Sequence, residues 1–262
     1  MRISRYSEIV NENKMWYKTI PQILNWVQSR EGLTWIFLDS ETTGLGGNKV
    51  QQLTQVAAIA TDYNFKSNKF NNVSSFDEKI KLTDEIKSRY SNPNDTSRKI
   101  LSFNHYGSGD YKYKNEKDVV DSFFTWINEH SPCLLIAQNA GFDMNMLSGR
   151  YGNKISNEVF DTKRLIQLYY LPLLQALAEN DSKYQEMLNK IGKSDRDGGL
   201  VSSSMSKIGP ALGINMTGYH DALTDCKITI QMYQKIVDFL KQNQDKDIMK
   251  YQAERIKFIR QE

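Results

Sequence analysis

An apolar run that ends on two carboxylates, within residues 34–45, constrains the fold of this chain more than any other stretch. Residues 35–38 are apolar or aromatic in succession, which is typical of a central strand buried on both faces. Asp39 and Glu41 follow two residues apart, so an extended backbone projects both side chains from the same face of the sheet. Two adjacent anions repel each other unless a hard divalent cation lies between them. The alternative is a strand that ends at a glycine-containing polar turn, with both acids in solvent.

Length and composition indicate an ordinary globular chain. The 262 residues are enough for one large domain or two small ones. Lysine and arginine number 34 against 31 acidic residues, a small excess that permits a polyanionic partner but does not require one. No apolar run reaches the length of a membrane span, and the first residues lack a signal-peptide core, so we expect a soluble, cytoplasmic protein without a membrane partner. Two cysteines, Cys133 and Cys226, are too few for a disulfide framework.

Hydrophobic periodicity predicts strands alternating with helices, which indicates an α/β architecture. Strands are predicted at 34–39, 55–62, 69–81, 133–137 and 158–160. Helices are predicted at 20–27, 118–130, 142–151, 162–177, 202–212 and 221–240, with a kink at Pro172 and an amphipathic helix in the tail. A tight turn at 62–64 would join the second and third strands into an antiparallel meander. Residues 179–199 are predicted to form an exposed, mobile loop, and no element is predicted within the polar stretch 83–116.

Three further acid or histidine positions could converge on Asp39 and Glu41 in such a fold. Asp143 follows a strand and lies in the first turn of a helix, where it could instead be a capping residue. His220 lies five residues before Asp225, with the histidine in a loop and the aspartate one turn inside a helix. Taken alone, a histidine such as His220 is more often a surface or hydrogen-bonded structural histidine than a catalyst. No comparable acidic context surrounds the remaining histidines, His105 and His130.

Three segments together resemble the motifs of the DEDDh branch of 3′–5′ exonucleases, namely 39–45 (DSETTGL), 138–143 (QNAGFD) and 220–225 (HDALTD). That family includes proofreading subunits of DNA polymerases, oligoribonuclease, RNase T and viral exonucleases. The resemblance implies a ribonuclease H-like α/β fold, a mixed sheet of three antiparallel strands followed by parallel strands, flanked by helices. It also implies an exonuclease domain at 34–240 between an N-terminal helical extension at 1–33 and a C-terminal helical tail at 241–262.

The resemblance also implies a role for each site residue. His220 and Glu41 would be catalytic, with His220 accepting the proton of the attacking water. Two divalent metal ions, Mg²⁺ with Mn²⁺ as a substitute, would be held by four carboxylates, Asp39, Glu41, Asp143 and Asp225. The terminal nucleotide would contact five residues, Thr42, Thr43, Leu45, Asn139 and Phe142. Asp161 would be a helix cap.

The function implied is a metal-dependent 3′–5′ exonuclease that releases nucleoside monophosphates from the 3′ end of single-stranded or frayed DNA. The alternative is a 3′–5′ exoribonuclease of the oligoribonuclease or RNase T kind. A further alternative is a catalytically inactive nucleic-acid-binding scaffold, which the presence of all five acid and histidine positions disfavours. A separate polymerase is a candidate partner.

Overall fold

The computed structural model describes residues 19–44, 51–91, 96–107, 112–149 and 151–260. Its strands are β1 Thr34–Thr42, β2 Leu53–Asn64, β3 Lys69–Lys79, β4 Cys133–Ala137 and β5 Glu158–Asp161. They form one five-stranded sheet in the order β3-β2-β1-β4-β5. β1, β2 and β3 pair antiparallel, whereas β4 and β5 run parallel to β1. The predicted fold class, a ribonuclease H-like mixed sheet flanked by helices, is confirmed.

Helices cover both faces of this sheet. They are α1 Ile20–Gln28, α2 Asp84–Ser91, α3 Thr96–Phe103, α4 Glu116–Glu129, α5 Ala140–Gly149, α6 Thr162–Leu165, α7 Leu171–Ala178, α8 Ser182–Ile191, α9 Met205–Ala211, α10 Ala222–Gln242 and α11 Met249–Ile259. A π-helical turn, Ile166–Tyr170, joins α6 to α7. Among the helices of the described ranges, none is long and apolar enough to cross a membrane.

The unbroken apolar run in β1 reflects burial on both sides of the strand. Trp35 and Phe37 belong to a core cluster that includes residues of α1 and α10. Ile36 and Leu38 belong to a second cluster with residues of α4 and α5. Because the next residues continue the same alternation, β1 carries its two carboxylates towards the α10 side of the sheet.

The turn predicted at 62–64 is wrong, since β2 continues to Asn64 and the turn lies at 65–68. Tyr63 is buried and pairs in register with Phe70 on β3, with ring centroids 4.5 Å apart. The Tyr63 hydroxyl also donates to Asn68 Oδ1 at 2.9 Å. Aromatic packing across the two strands therefore extends the hairpin beyond the polar residues that suggested a turn.

The exposed loop predicted at 179–199 is also wrong, because ten of its residues, Ser182–Ile191, form helix α8. Asp181 caps the helix by accepting from the Lys183 N–H at 2.9 Å, and Gly192 ends it with a φ of 73°. Leu188 and Ile191 are buried, three residues apart on one face of the helix. The apolar spacing was masked by the lysines and acids between those positions.

The stretch 83–107 contains the helices α2 and α3, for which the sequence predicted no elements. Leu82, Ile86 and Leu101 form a small core of their own. Tyr106 ties this unit to the end of β3, since its hydroxyl donates to the Ile80 carbonyl at 3.1 Å. Asn104 ties it to β1, because Asn104 Nδ2 donates to the Thr42 carbonyl at 2.9 Å.

At Pro172, where the sequence predicted a kink or break, the chain stays helical and a π-helical turn precedes this residue. Proline has no N–H, so the carbonyl of Leu168, four residues earlier, loses its α-helical donor. Gln252 on α11 donates to that carbonyl instead, with Nε2 at 3.0 Å. The C-terminal helix thus satisfies a backbone acceptor in the middle of the domain.

A buried arginine anchors the same C-terminal helix. Arg255 is 1% exposed, and its Nη2 donates to the Val201 carbonyl at 2.6 Å. Its Nη1 lies 3.9 Å from Asp197 Oδ1. Asp197 also accepts from the Ser203 hydroxyl at 2.6 Å. The amphipathic tail helix predicted from the sequence is confirmed, while the division of the chain at residues 33 and 240 stays a prediction.

Candidate active site

The strand β1 places two acids of the site at its carboxyl end. Asp39 and Glu41 pair in register with Ala57 and Gln55 of β2. On its other side β1 pairs with β4 only as far as Phe37. Both acids therefore lie on the part of β1 that extends beyond β4, where the sheet leaves room for side chains from other elements.

Asp143, in the first turn of α5, turns its carboxylate onto this extension. Its Oδ1 accepts from the backbone N–H and from the hydroxyl of Ser40, at 2.9 Å and 2.6 Å. Asp143 is therefore not a cap of its own helix. It is fixed by the residue that lies between Asp39 and Glu41.

The third group of residues lies where α10 begins. Asp221 is the N-cap, and its Oδ1 accepts from the Thr224 N–H at 3.1 Å. His220 precedes the cap with a φ of 72°, a left-handed conformation that is uncommon for a residue other than glycine. Its backbone N–H lies 3.4 Å from Oδ1 of Asp225, which is buried in the first turn. The helix start thus holds the histidine backbone against this aspartate.

These elements bring predicted site residues together. Glu41, His220 and Asp225 each offer a ligand atom, and the three atoms lie within 4.8 Å of one another. Asp39 and Asp143 lie close enough for their charges to act on the pKa of Glu41. All five predicted acid and histidine positions therefore belong to one cluster.

Burial and mutual repulsion raise the pKa of every carboxyl group in the cluster. Burial followed by the charges of Asp39, Asp225 and Asp143 raises the pKa of Glu41 to about 10. Burial raises the pKa of Asp225 to about 7. Burial, together with a neighbouring aspartate in each case, raises the pKa values of Asp39 and Asp143 well above their ordinary range. Ionising these groups together in the folded protein therefore costs free energy.

The same features fit a divalent cation. Four carboxylates supply the oxygen ligands that hard cations such as Mg²⁺ and Mn²⁺ prefer. Burial and mutual repulsion outweigh the charge of Lys79, which lowers the pKa of Glu41, so a bound cation would supply positive charge that favours the ionised carboxylates. Glu41 and Asp225 each have a carboxylate oxygen within 4.8 Å of the other's, so this pair is the best placed to share an ion.

His220 has the properties of a proton acceptor. Burial, followed by the charge of His105, lowers the pKa of its imidazole, so the ring is neutral at pH 7. The ring also packs against that of Tyr219, with centroids 3.9 Å apart. His105, which has no acidic neighbours in sequence, thus acts on the site through its charge.

The threonines predicted to contact the terminal nucleotide are buried and bonded within the protein. The Thr42 hydroxyl donates to the Gly44 carbonyl at 2.7 Å. The Thr43 hydroxyl donates to Gln51 Oε1 at 2.8 Å and accepts from the Gln52 N–H at 3.0 Å. These bonds order the end of β1, and a contact of either residue with nucleotide stays a prediction.

The remaining predicted substrate residues differ in their setting. Asn139 is exposed with a φ of 69°, and its N–H donates to Asp161 Oδ1 at 3.0 Å. Asp161 also accepts from the Lys163 N–H at 2.8 Å, so its predicted role as a helix cap is confirmed. Phe142 is half-buried against the core beneath α5. Leu45 lies outside the described residues.

Two residues that contact the N-cap Asp221 were not among the site residues predicted from the sequence. Gln55 Nε2 and Lys79 Nζ donate to Asp221 Oδ2, at 3.1 Å and 3.0 Å. Asp221 itself carried a signal, because an aspartate just before a helix is a favoured N-cap. Lys79 carried none, since a lysine at the end of an edge strand is typical of a solvated position.

No curated protein sequence matches the chain. Exonuclease I matches with a TM-score of 0.50 and 18% identity, over 79% of this chain and 43% of its own. Cell-death related nuclease 4 matches with a TM-score of 0.40 and 15% identity, over 79% of this chain and 64% of its own. The chain thus spans less than two thirds of either protein.

The likeness to exonuclease I shows a shared fold. A family model also identifies the family. The model described as Exonuclease, of the RNase T type, matches residues 36–233. That range includes β1 from Ile36 onwards, the helix that carries Asp143, and the start of α10. The chain therefore belongs to the RNase T-type exonuclease family, with the acids and histidine of its DEDDh branch.

Proposed function

We propose that this chain is a divalent-metal-dependent 3′–5′ exonuclease that releases nucleoside monophosphates from the 3′ end of single-stranded DNA. The observation that carries the proposal is the grouping of Glu41, His220 and Asp225 within 4.8 Å, with Asp39 and Asp143 in the same electrostatic cluster. Membership of the exonuclease family supports nuclease chemistry at this cluster.

We propose that Asp39, Glu41, Asp143 and Asp225 hold two ions, with Mg²⁺ as the resident metal and Mn²⁺ as a substitute. Such ions, when bound, stabilise the charge that develops on phosphate oxygens and make water a better nucleophile. The carboxylates contribute a preformed set of oxygens, and Ser40 keeps Asp143 directed at that set. Because their pKa values are raised, cation binding releases protons from these groups.

His220 would take the proton of the attacking water. A general base must be neutral at the working pH, and burial keeps the pKa of this imidazole below its ordinary value. Its backbone is held by Asp225, and its ring is held by Tyr219. The proton acceptor is therefore positioned before substrate arrives.

We propose that the terminal nucleotide contacts the ends of β1 and β4, through Thr42, Thr43 and Leu45 on one side and Asn139 and Phe142 on the other. DNA is the proposed substrate, and RNA is the alternative. The modest excess of basic residues, 34 against 31 acids, is compatible with either polyanion. A polymerase partner remains a proposal that rests on the family resemblance.

The experiment is a digestion of matched DNA and RNA strands, paired and unpaired, each labelled at its 5′ end. With Mg²⁺, the wild type should shorten the unpaired DNA strand one nucleotide at a time, and Asp39→Ala should leave it intact. A product of random internal cuts would contradict the exonuclease proposal. Faster digestion of RNA would instead support the ribonuclease alternative.

A further inference from the structure

Lys79 lies outside the three motifs, yet its side chain reaches the start of the helix that carries Asp225. It is the last residue of β3 and is 5% exposed. Its Nζ donates to Gln55 Oε1 at 2.6 Å and to Asp221 Oδ2 at 3.0 Å. Burying an ammonium group is costly unless it is paired and hydrogen-bonded, so these two contacts help to fix its position.

The sheet register explains how an edge strand reaches the site. Glu41 of β1 pairs with Gln55 of β2, and Gln55 pairs with Lys79 of β3. Residues in register across antiparallel strands project from the same face. Glu41, Gln55 and Lys79 therefore form one row on the face that α10 covers.

Asp221 joins this row to α10 because its two carboxylate oxygens have different partners. Oδ1 accepts from the Thr224 N–H and so caps the helix. Oδ2 accepts from Lys79 and from Gln55. The N–H of Ala222 donates to Gln55 Oε1 at 3.1 Å. The first turn of α10 is thus fixed to the sheet through a network that Lys79 completes.

Electrostatics agree with this assignment. Burial raises the pKa of Asp221, but the hydrogen bond and charge of Lys79, together with hydrogen bonds from Gln55 and the Thr224 N–H, leave the pKa below its ordinary value. Asp221 is therefore ionised at neutral pH, and Lys79 is its counter-ion. His220 is the residue directly before Asp221, and its left-handed backbone persists only if its surroundings hold it.

We propose that Lys79 is a positioning residue for hydrolysis, which fixes Asp221 against the sheet and thereby holds the His220 imidazole at the carboxylate cluster. The inference rests on the proposed function. Lys79 does not need to touch substrate or the reacting atoms for this role. A residue with a purely structural role would lower stability without changing the turnover of each folded molecule.

The first experiment compares Lys79→Met, Lys79→Arg and a control, Lys114→Met. Lys114 pairs with Glu78 at 2.6 Å beside the same strand end, but half of its side chain is exposed and neither member of the pair belongs to α10. Lys79→Met should lower kcat about 10- to 100-fold, as loss of an orienting partner does, with KM changed by less than about twofold. Lys79→Arg should recover part of kcat, and Lys114→Met should equal the wild type.

The second experiment combines Lys79→Met with His220→Ala. If Lys79 acts through His220, the double variant should have the kcat of His220→Ala alone, because the residue being positioned is already gone. Multiplied losses would overturn the inference. So would wild-type kcat in folded Lys79→Met, even if its Tm fell.

If Lys79→Met does not fold, Asp221→Asn supplies the same test, since asparagine keeps the N-cap and loses the charge that Lys79 pairs with. It should reproduce the loss of kcat and also show no further loss with His220→Ala, and wild-type kcat would overturn the inference. An inactive wild type would remove the proposed function itself. An active wild type with fully active Lys79 and Asp221 variants would remove only this inference.

Discussion

The carboxylate of Asp143 accepts two hydrogen bonds from Ser40, one from its backbone N–H at 2.9 Å and one from its hydroxyl at 2.6 Å. Ser40 lies between Asp39 and Glu41 on β1, so the contact fixes α5 to the strand that carries these two acids. Both hydrogen bonds lower the pKa of Asp143 and oppose the larger effect of burial, which raises it. Ser40 thus helps to keep a buried acid available as a ligand.

Ser40→Ala should therefore weaken metal use. Without the hydroxyl the pKa of Asp143 rises further and its carboxylate is less well oriented. The Mg²⁺ concentration for half-maximal activity should rise about 10- to 100-fold, as for other partners of metal ligands. Activity titrated against Mg²⁺ measures this. Ser148→Ala is the control, because the Ser148 hydroxyl lies on the same helix and donates to the Met144 carbonyl. This variant should leave the titration unchanged.

Metal-free protein should lose stability as pH rises. The pKa of Asp225 is about 7 and that of Glu41 about 10, against about 4 for such groups in the unfolded chain. The folded state binds their protons more tightly, so the stability they contribute is complete below about pH 4 and is lost as pH rises, up to about 7 for Asp225 and about 10 for Glu41. Urea unfolding with a chelator should give a lower free energy of unfolding at pH 8 than at pH 5.

Asp225→Asn is the matched variant for that measurement. It should flatten the loss between pH 5 and pH 8, raise the stability of the metal-free protein at pH 8, and abolish hydrolysis. Mg²⁺ should stabilise the wild type at pH 8 more than the variant. An identical pH slope in both proteins would show that other groups govern it.

The variant His220→Ala tests whether His220 acts as a proton acceptor or as a metal ligand. Loss of a general base should lower kcat about 10²- to 10⁴-fold while the metal-induced rise in Tm is retained. Because the pKa of His220 lies below its ordinary 6.5, the acid limb of the wild-type pH profile should lie below that pH and should be absent in the variant. If the metal-induced rise disappears as well, His220 is a ligand, which its distance to Glu41 and Asp225 would allow.

Arg255→Met should destabilise the whole fold. The change leaves Asp197, which is 4% exposed, without its cationic neighbour, and breaking one partner of a buried pair costs about 3–5 kcal/mol. Thermal and urea unfolding measure the loss. Lys250→Met is the control, since Lys250 lies on the same helix in an exposed pair with Glu179. A Tm equal to that of the wild type in both variants would contradict the anchoring role of Arg255.

The elements predicted correctly are those that the pattern of neighbouring residues in the sequence indicates. The strand through Asp39 and Glu41 follows from its composition, and the helix that carries Asp225 follows from its periodicity. Helix α8 was missed because charges interrupt its apolar face and only packing against α7 and α9 reveals it. Lys79 was missed because its partners, Gln55 and Asp221, are 24 and 142 residues away and meet it only through sheet register.

Pro172 makes the middle of the chain depend on its last helix during synthesis. The Leu168 carbonyl receives its hydrogen bond from Gln252, which is 84 residues later in the sequence. A buried carbonyl without a donor is costly, so the helical layer around Pro172 is incomplete on a nascent chain that lacks α11. The five strands of this sheet have all been made once Asp161 has been added to the chain. The strand that carries Asp39 and Glu41 is therefore synthesised long before the helix that completes the packing around Pro172.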